Sequence, residues 1–446
     1  MPHQLAAQDP SFSPRSVTQS DSSSSPGLPR RFSELHVGSP PPDLPPRPIL
    51  STIYINDLPI ELLGEIMVKH SELEWHAPAV DGQVCWFWRT TVLSTPRAWA
   101  RIKFERIREF PSESAWKLWI ERAASTPLDV RILIHRGWTH HENSLEYMVS
   151  ALLNKADSIV SLVISGVRRS FFLTPFHVLR HLRIEGWSLK LPEYPNDGHD
   201  GRFLVASMPA LRSLTLGDIP CDPFAASGAI PPLSELSLSY NSTWHSLVWH
   251  SHQALTSLSL HCCGPWSSGE GHPIEFPSLL FLSLYDIPSF KPYITSPRLQ
   301  TLHEASDSVS DSFPRPLDSL TEYGVLTMTA SCDNPRFHVE KLHDEFPNLV
   351  KLSLRVTAEA TLGFFLELAR HPACFPNLRW IEAENYSESR STFNGMEITI
   401  MEDCLVGRTQ AALSVPLKAS FWEPGRNREI PLFFADVCHY RFCTLE

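Results

Sequence analysis

One short pattern constrains this chain more than any other: leucine, two residues, leucine, one residue, leucine. It is complete at Leu211-Leu214-Leu216, Leu233-Leu236-Leu238, Leu255-Leu258-Leu260, Leu279-Leu282-Leu284 and Leu349-Leu352-Leu354. Weaker copies stand at Ile159-Leu162-Ile164, Leu179-Leu182-Ile184, Leu299-Leu302 and Leu378-Ile381. A proline often precedes the first leucine by one or two residues, at Pro209, Pro232, Pro277, Pro297, Pro347 and Pro376. The last two leucines are two apart, as on one face of a strand. A single such strand cannot bury that face alone, so the copies must stack on one another.

The starts at Leu211, Leu233, Leu255, Leu279 and Leu299 lie 20 to 24 residues apart, the period of a leucine-rich repeat. Asn241 and Cys263 fall three residues after the last leucine of their copies, where that repeat expects Asn or Cys. The expected class is therefore α/β: an irregular leucine-rich-repeat solenoid over residues 158–395, with parallel strands on a concave face. Where the interval is longer a helix fits between strands, most clearly at Ala360–Arg370. Residues 305–337 fit poorly and read as an insertion. Residues 396–446 lack the pattern; strand-like pieces at Met396–Met401 and Leu413–Phe421 read as a cap on the open end of the core.

Side chains alternate along a strand, so the residues between the leucines face outward. The middle outward column reads Thr215, Ser237, Ser259, Ser283 and later Ser353. The flanks carry Glu235, His261, Phe281, Tyr285, Lys351, Arg355, Trp380, Glu382 and Glu384. Small hydroxyls between larger walls describe a shallow trough. Exposed aromatics and arginine are the usual interface anchors, so Phe281, Tyr285, Arg355 and Trp380 are the candidate substrate-binding residues. The bland reading is that Phe281 and Trp380 are covered by other parts of the chain.

Upstream the pattern is helical. Residues 51–108 read as a small helical domain and 109–157 as a helix–strand–helix connection. Leu58, Leu62, Leu63 and Ile66 share one helical face, with Pro59 at the first helical position and Glu61 and Glu65 near the positive end of the dipole. Residues 70–83 read as a looser stretch with Pro78 and Gly82 as breakers. A second helix is predicted through Val84, Trp88 and Val92, with Cys85 beside them. Thr95-Pro96 then starts a short third helix with Trp99 and Ile102. Further on come a helix over 112–124, a strand from Leu128 to Ile134 and a helix over Leu145–Ala156.

Three ordered blocks carry a resemblance: Leu58-Pro59-x-Glu61-Leu62-Leu63-x-x-Ile66, Val84-Cys85-x-x-Trp88-Arg89, and Leu93-Ser94-Thr95-Pro96-x-x-Trp99-x-x-Ile102. Together they resemble the F-box of the large fungal group of F-box proteins, in which a leucine-rich continuation is usual. Leu118–Ala123 followed by Pro127-Leu128 is similar to the same group. The resemblance implies a subunit of an SCF-type (Skp–cullin–F-box) ubiquitin ligase, with no catalytic residues of its own. A Skp-type adaptor, and through it a cullin, would be partners, and the repeats would hold a protein substrate. It implies that Leu58, Pro59, Leu62, Leu63, Ile66, Val84, Cys85 and Trp88 contact the adaptor; the plain alternative is that some only build the helical core. The competing function is a repeat-based interaction scaffold whose F-box has degenerated and recruits no ligase.

Other classes fare worse. The net charge of −11 argues against a general grip on nucleic acid or on an anionic membrane surface. No apolar run approaches the roughly 20 residues of a spanning helix. The N-terminus has no apolar signal core, and nine irregularly spaced cysteines read as reduced thiols of a cytoplasmic or nuclear protein. His245, His250, His252, His261, Cys262 and Cys263 cluster in sequence without the paired spacing of a zinc site. Gly264–Gly271 lacks the Gly-Lys-Ser/Thr ending of a phosphate loop, so no cofactor is expected. Residues 1–50, rich in Ser and Pro, read as a disordered tail. Ser13, Ser25, Ser33 and Ser39 there are candidate phosphorylation sites, and the Pro40–Pro48 run a candidate polyproline ligand.

Overall fold

The computed structural model describes residues 55–104, 112–133, 142–165, 175–185, 208–217, 231–240, 244–264, 273–287, 290–305, 313–326, 338–385, 395–412 and 418–422. The predicted N-terminal tail lies outside them. The chain opens with three helices, α1 (Ile60–Leu73), α2 (Ala77–Val84) and α3 (Trp86–Leu93), and a 3-10 turn over Pro96–Trp99. A strand follows at once, β1 (Arg101–Phe104), then α4 (Glu113–Ala123), β2 (Leu128–Ile132) and α5 (Glu142–Leu153).

From there strands follow one another with short connections: β3 (Ile159–Ser165), β4 (His181–Glu185), β5 (Ser213–Gly217), β6 (Glu235–Ser239), α6 (His245–Ser251), β7 (Ser257–His261), β8 (Ile274–Glu275), β9 (Phe281–Tyr285), β10 (Ile294–Thr295), β11 (Thr301–Ala305) and β12 (Glu322–Leu326). The chain ends through α7 (Val339–Glu345), β13 (Lys351–Val356), α8 (Ala358–Arg370), β14 (Trp380–Asn385), α9 (Gly395–Ala412) and β15 (Lys418–Trp422). All but the two-residue β8 and β10 join one sheet of 13 strands, in the order β1 to β7, β9, then β11 to β15. Every pairing is parallel and every neighbour is the next strand of the sheet in sequence.

The leucine pattern explains this arrangement. Leu214, Leu236, Leu258 and Leu282 stand in register across β5, β6, β7 and β9, and each is buried. Leu216, Leu238, Leu260 and Leu284 form a second buried row. Just before each strand a backbone N–H donates to the preceding repeat: Ser234 to Arg212 O, Thr256 to Ser234 O, Leu280 to Thr256 O and Gln300 to Leu280 O, all at 2.8–2.9 Å. Just after β6, β7 and β9, Tyr240, Cys262 and Asp286 take positive φ, and their N–H groups donate to the last residue of the next strand. Left-handed backbone at a non-glycine residue costs on the order of 1 kcal/mol. The same bond recurs at each of the three turns.

Several expectations change. Residues 305–337 contain β12, which takes its place between β11 and β13. Leu320, Tyr323 and Val325 are its buried set, so the repeat was hidden because a tyrosine fills a leucine position. Met396–Met401 belongs to helix α9, not a strand. The stretch 70–83 is no loose linker: Pro78 sits in the first turn of α2, where its missing N–H and fixed φ suit a helix start. Val84 therefore ends α2 and does not share α3 with Trp88 and Val92. Ile102 lies on β1, because the third helix is a single 3-10 turn. Glu382 pairs in register with Ser353 and so belongs to the middle column, not a flank. The sheet runs from Arg101 to Trp422: the strands expected in the connection and at the C-terminal end join it as β2 and β15, and β1 is a strand that was not expected.

An aromatic cluster joins the helical unit to the sheet. Trp119 lies 5.2 Å from Trp75 and 4.7 Å from Trp99 between ring centroids, and Phe104 of β1 packs on Trp75 at 4.6 Å and Trp116 at 5.5 Å. Trp99 Nε1 donates to Val92 O at 2.8 Å and Trp119 Nε1 to Trp99 O at 3.1 Å. Arg122 covers the Trp99 ring at 4.5 Å, and burial pulls its pKa down. Such a junction holds α1–α3 at a fixed attitude to the first strands.

Candidate functional site

Helix α1 has two apolar faces. Leu63, Met67 and Val68 enter the core, and Leu63 and Met67 are fully buried. Leu62, Ile66 and Leu73 form the other stripe, with Leu62 53% and Leu73 83% exposed. Helices α2 and α3 repeat the division. Val80 and Val84 are exposed on α2; Trp86, 76% exposed, and Leu93 are exposed on α3. Ile55 and Ile60 add to the outer apolar surface at the start of the unit. Few large hydrophobics are exposed in the described parts of the repeats, so this apolar surface is concentrated in about forty residues of chain. Large apolar side chains left exposed in this number are the kind of surface that interaction sites use.

The candidate adaptor residues divide accordingly. Leu62, Ile66 and Val84 stand on the outer surface, and Pro59 is exposed just before α1. Leu63 is a core residue. Leu58 is half-buried, and its N–H donates to Ile55 O. Cys85 caps α3, its Sγ accepting from Trp88 N at 3.5 Å. Trp88 packs partly against the core, and its Nε1 donates to Asn56 Oδ1 at 3.0 Å. Trp86, Leu73, Val80 and Leu93 were missed. Trp86 and Leu93 lie seven apart on one helix, and Val80 and Val84 four apart. Those spacings were legible only once the α2–α3 boundary was known.

Polar contacts fix how these helices meet. Asp81, buried on α2, accepts from His70 Nδ1 of α1 at 3.0 Å, while its Oδ2 has no hydrogen-bond partner. Arg89 Nε donates to Gly82 O at 2.7 Å and ties α3 to α2. Arg97 bridges to Glu65 at 2.5 Å. Glu72, at the surface, is held below the usual carboxylate range by its hydrogen bond from Lys69.

On the sheet, the outward columns are in register as Thr215, Ser237, Ser259 and Ser283, then His303, Gly324, Ser353 and Glu382. The row of hydroxyls is thus interrupted at His303. Its ring lies on Gly324, where an added Cβ would stand 2.8 Å from His303 Cδ2. Burial pushes the His303 pKa down, and its Nε2 is buried with no hydrogen-bond partner.

Phe281 and Tyr285 flank Ser283 on one strand. Phe281 meets His303 edge-on at 5.3 Å, and Tyr285 meets His261 at 5.4 Å. Arg355 and Trp380 stand three and four strands away, about 14 and 19 Å at ordinary strand spacing. Both are engaged within the chain: Arg355 Nε lies 2.6 Å from Glu384 Oε2, and Trp380 Nε1 donates to Glu382 Oε1 at 3.1 Å. The four candidate substrate residues therefore share one sheet face but form two separate groups.

The histidine–cysteine cluster does not converge. His250 Nδ1 faces Ser246 O at 2.6 Å, His252 Nδ1 faces Trp249 O at 2.5 Å, and Cys263 points its Sγ at Leu238 O. Among the described residues no three histidine, cysteine or carboxylate groups are placed to hold a metal, and no helix is long and apolar enough to cross a membrane. No protein-family model matches the chain, and no curated protein matches it.

Proposed function

We propose that the chain is the substrate-recognition subunit of an SCF-type ubiquitin ligase. In this reading the outer apolar surface of α1–α3 binds a Skp-type adaptor, and the outward face of the parallel sheet holds a protein substrate. The observation that carries it is the division of α1: Leu63 and Met67 complete the core while Leu62, Ile66 and Leu73 stand outside it, continued by Val80, Val84, Trp86 and Leu93. A helical unit that only capped the sheet would have no use for a second apolar face. The ordered F-box-like blocks supply the identity of the partner.

The contribution to the reaction is proximity. A substrate held on the sheet and an adaptor held on the helices become parts of one body, which replaces a bimolecular encounter by a local one. The Trp75–Trp99–Trp119 junction favours this, since a loose joint would dilute the effective concentration. The test is affinity purification of the full chain from proteasome-inhibited cells. The Skp-type adaptor and a cullin should co-purify, and ubiquitinated partners should accumulate. Recovery of partners with neither adaptor nor cullin would favour the scaffold reading instead.

A further inference from the structure

The middle of the outward face is almost without charge. Strands β5, β6, β7 and β9 present mostly serine and threonine between their buried leucines, and their residues include one carboxylate, Glu235, and no lysine or arginine. Glu235 is exposed, and among the described residues no hydrogen bond or ion pair engages its carboxylate. Arg212, one residue before β5, lies close by, since its carbonyl accepts the Glu235 N–H at 3.0 Å. Its guanidinium nevertheless donates to Pro232 O, at 3.3 Å. The acids of the later strands differ: Glu322, Glu382 and Glu384 are each bridged to Lys351 or Arg355. Folding has no need of the Glu235 charge. The positions in register with it on the two neighbouring strands are Ser213 and Ser257, and glutamate is among the residues that strands disfavour.

The neighbours of Glu235 shape a slot. Glu235, Ser257 and Phe281 stand in register on three successive strands. At about 4.8 Å between strands, Glu235 and Phe281 are about 10 Å apart along the row, with only a serine between them. Phe281 is backed by His303 on the next strand, whose ring meets it edge-on at 5.3 Å. Burial pulls the His303 pKa down, so no competing cation stands behind the phenyl ring. A gap of this width admits one long side chain. A carboxylate on one wall and an aromatic ring on the other suit a cation, held by a charge-assisted hydrogen bond on one side and a cation–π contact on the other.

We propose that the slot between Glu235 and Phe281, floored by Ser257, receives an arginine or lysine side chain of the partner protein. The chain's net charge of −11 favours the approach of such a partner. The proposal rests on the reading of this sheet face as the substrate-holding surface and narrows the substrate to one that presents a basic residue to its middle.

Panning of a random-peptide phage library on the immobilised full chain tests it. The library is first depleted on the variant Ser259→Trp, whose bulk blocks the middle of the face, so that ligands of other surfaces are removed. Peptides then enriched by the wild type should share an arginine or lysine at one position, and Glu235→Arg should select aspartate or glutamate there. One enriched peptide is titrated by fluorescence anisotropy. Glu235→Gln should weaken it about tenfold, and so should citrulline in place of its arginine, or acetyl-lysine in place of its lysine. The two changes together should cost little more than either alone, as for groups that bond each other. Enriched peptides without a shared basic position, or an affinity unchanged in Glu235→Gln, would overturn the proposal and leave the substrate-holding reading of the face standing. Enrichment of no peptide after the depletion would contradict that reading, and the proposal with it. No adaptor is present in the assay, so adaptor binding does not enter the result.

Discussion

At the scale of single residues, the least expected features are polar groups set among apolar ones. Asp81 is buried with one oxygen on His70 and the other unpartnered. Removing the histidine leaves the carboxylate without its side-chain partner, so His70→Ala should cost about 1–3 kcal/mol, read as a lower urea midpoint at unchanged slope. A companion Asp81→Asn should recover part of that loss, and an unchanged midpoint in His70→Ala would show the contact to be idle. His303 and Gly324 form a matched pair, since the histidine ring occupies the space of the missing Cβ. Gly324→Ala should destabilise by about 1 kcal/mol through overpacking, and His303→Ser should suppress the effect by restoring the small hydroxyl of neighbouring strands. Additive losses in the double variant would contradict this pairing. Neither feature was legible in the sequence. A histidine or glycine at an outward position carries no signal until the register places one on the other.

At the scale of elements, the leucine pattern located most of the strands and their order, because buried parallel strands announce themselves by apolar spacing alone. It missed β12, where Tyr323 replaces leucine, and it could not anticipate that Glu304 fills a leucine position on β11. Both belong to one buried polar group. Lys291 Nζ lies 2.6 Å from Glu304 Oε2, Tyr323 donates its hydroxyl to the same oxygen at 3.1 Å, and Glu345 accepts from Phe313 N at 2.8 Å. Lys291→Met should cost about 3–5 kcal/mol by leaving the Glu304 charge buried and unpaired, whereas Lys291→Met with Glu304→Leu should be close to neutral. If the single variant unfolds at the wild-type urea concentration, the pair contributes nothing.

The same group predicts a pH dependence. Burial, reinforced by nearby Glu304, raises the Glu345 carboxyl above its ordinary value. A folded pKa above the unfolded one contributes stability that is full below the unfolded pKa and fades as pH rises through the folded pKa. Glu345→Gln should therefore remove a loss of stability seen in the wild type as pH rises past the ordinary glutamate range. Parallel stability curves for the two proteins across that range would count against the assignment. The helical unit was legible as helices, but its division was not: Leu63, read on one face with Leu62 and Ile66, is a core residue while those two stand outside. Helix α2 was not legible as a helix either, because a first-turn proline such as Pro78 and a helix-breaking proline look alike in sequence.

At the scale of the whole molecule, the account joins two surfaces through one junction: an apolar face on α1–α3 and an outward sheet face that begins on the very next strand, β1. The proximity argument requires both to be carried by one body, and the aromatic cluster around Trp119 is where that requirement meets the chain. The central claim is that the outer apolar face engages a Skp-type adaptor. Isothermal titration of the full chain with purified adaptor tests it, using Leu62→Asp with Trp86→Ala. Both side chains lie outside the core, so the variant should keep the wild-type thermal transition. Trp88, tied to Asn56 and packed partly inward, would not allow that separation. The account predicts saturable binding by the wild type and a loss of at least about 2 kcal/mol in the variant. Equal affinity of the two proteins, or no binding by the wild type, would contradict it.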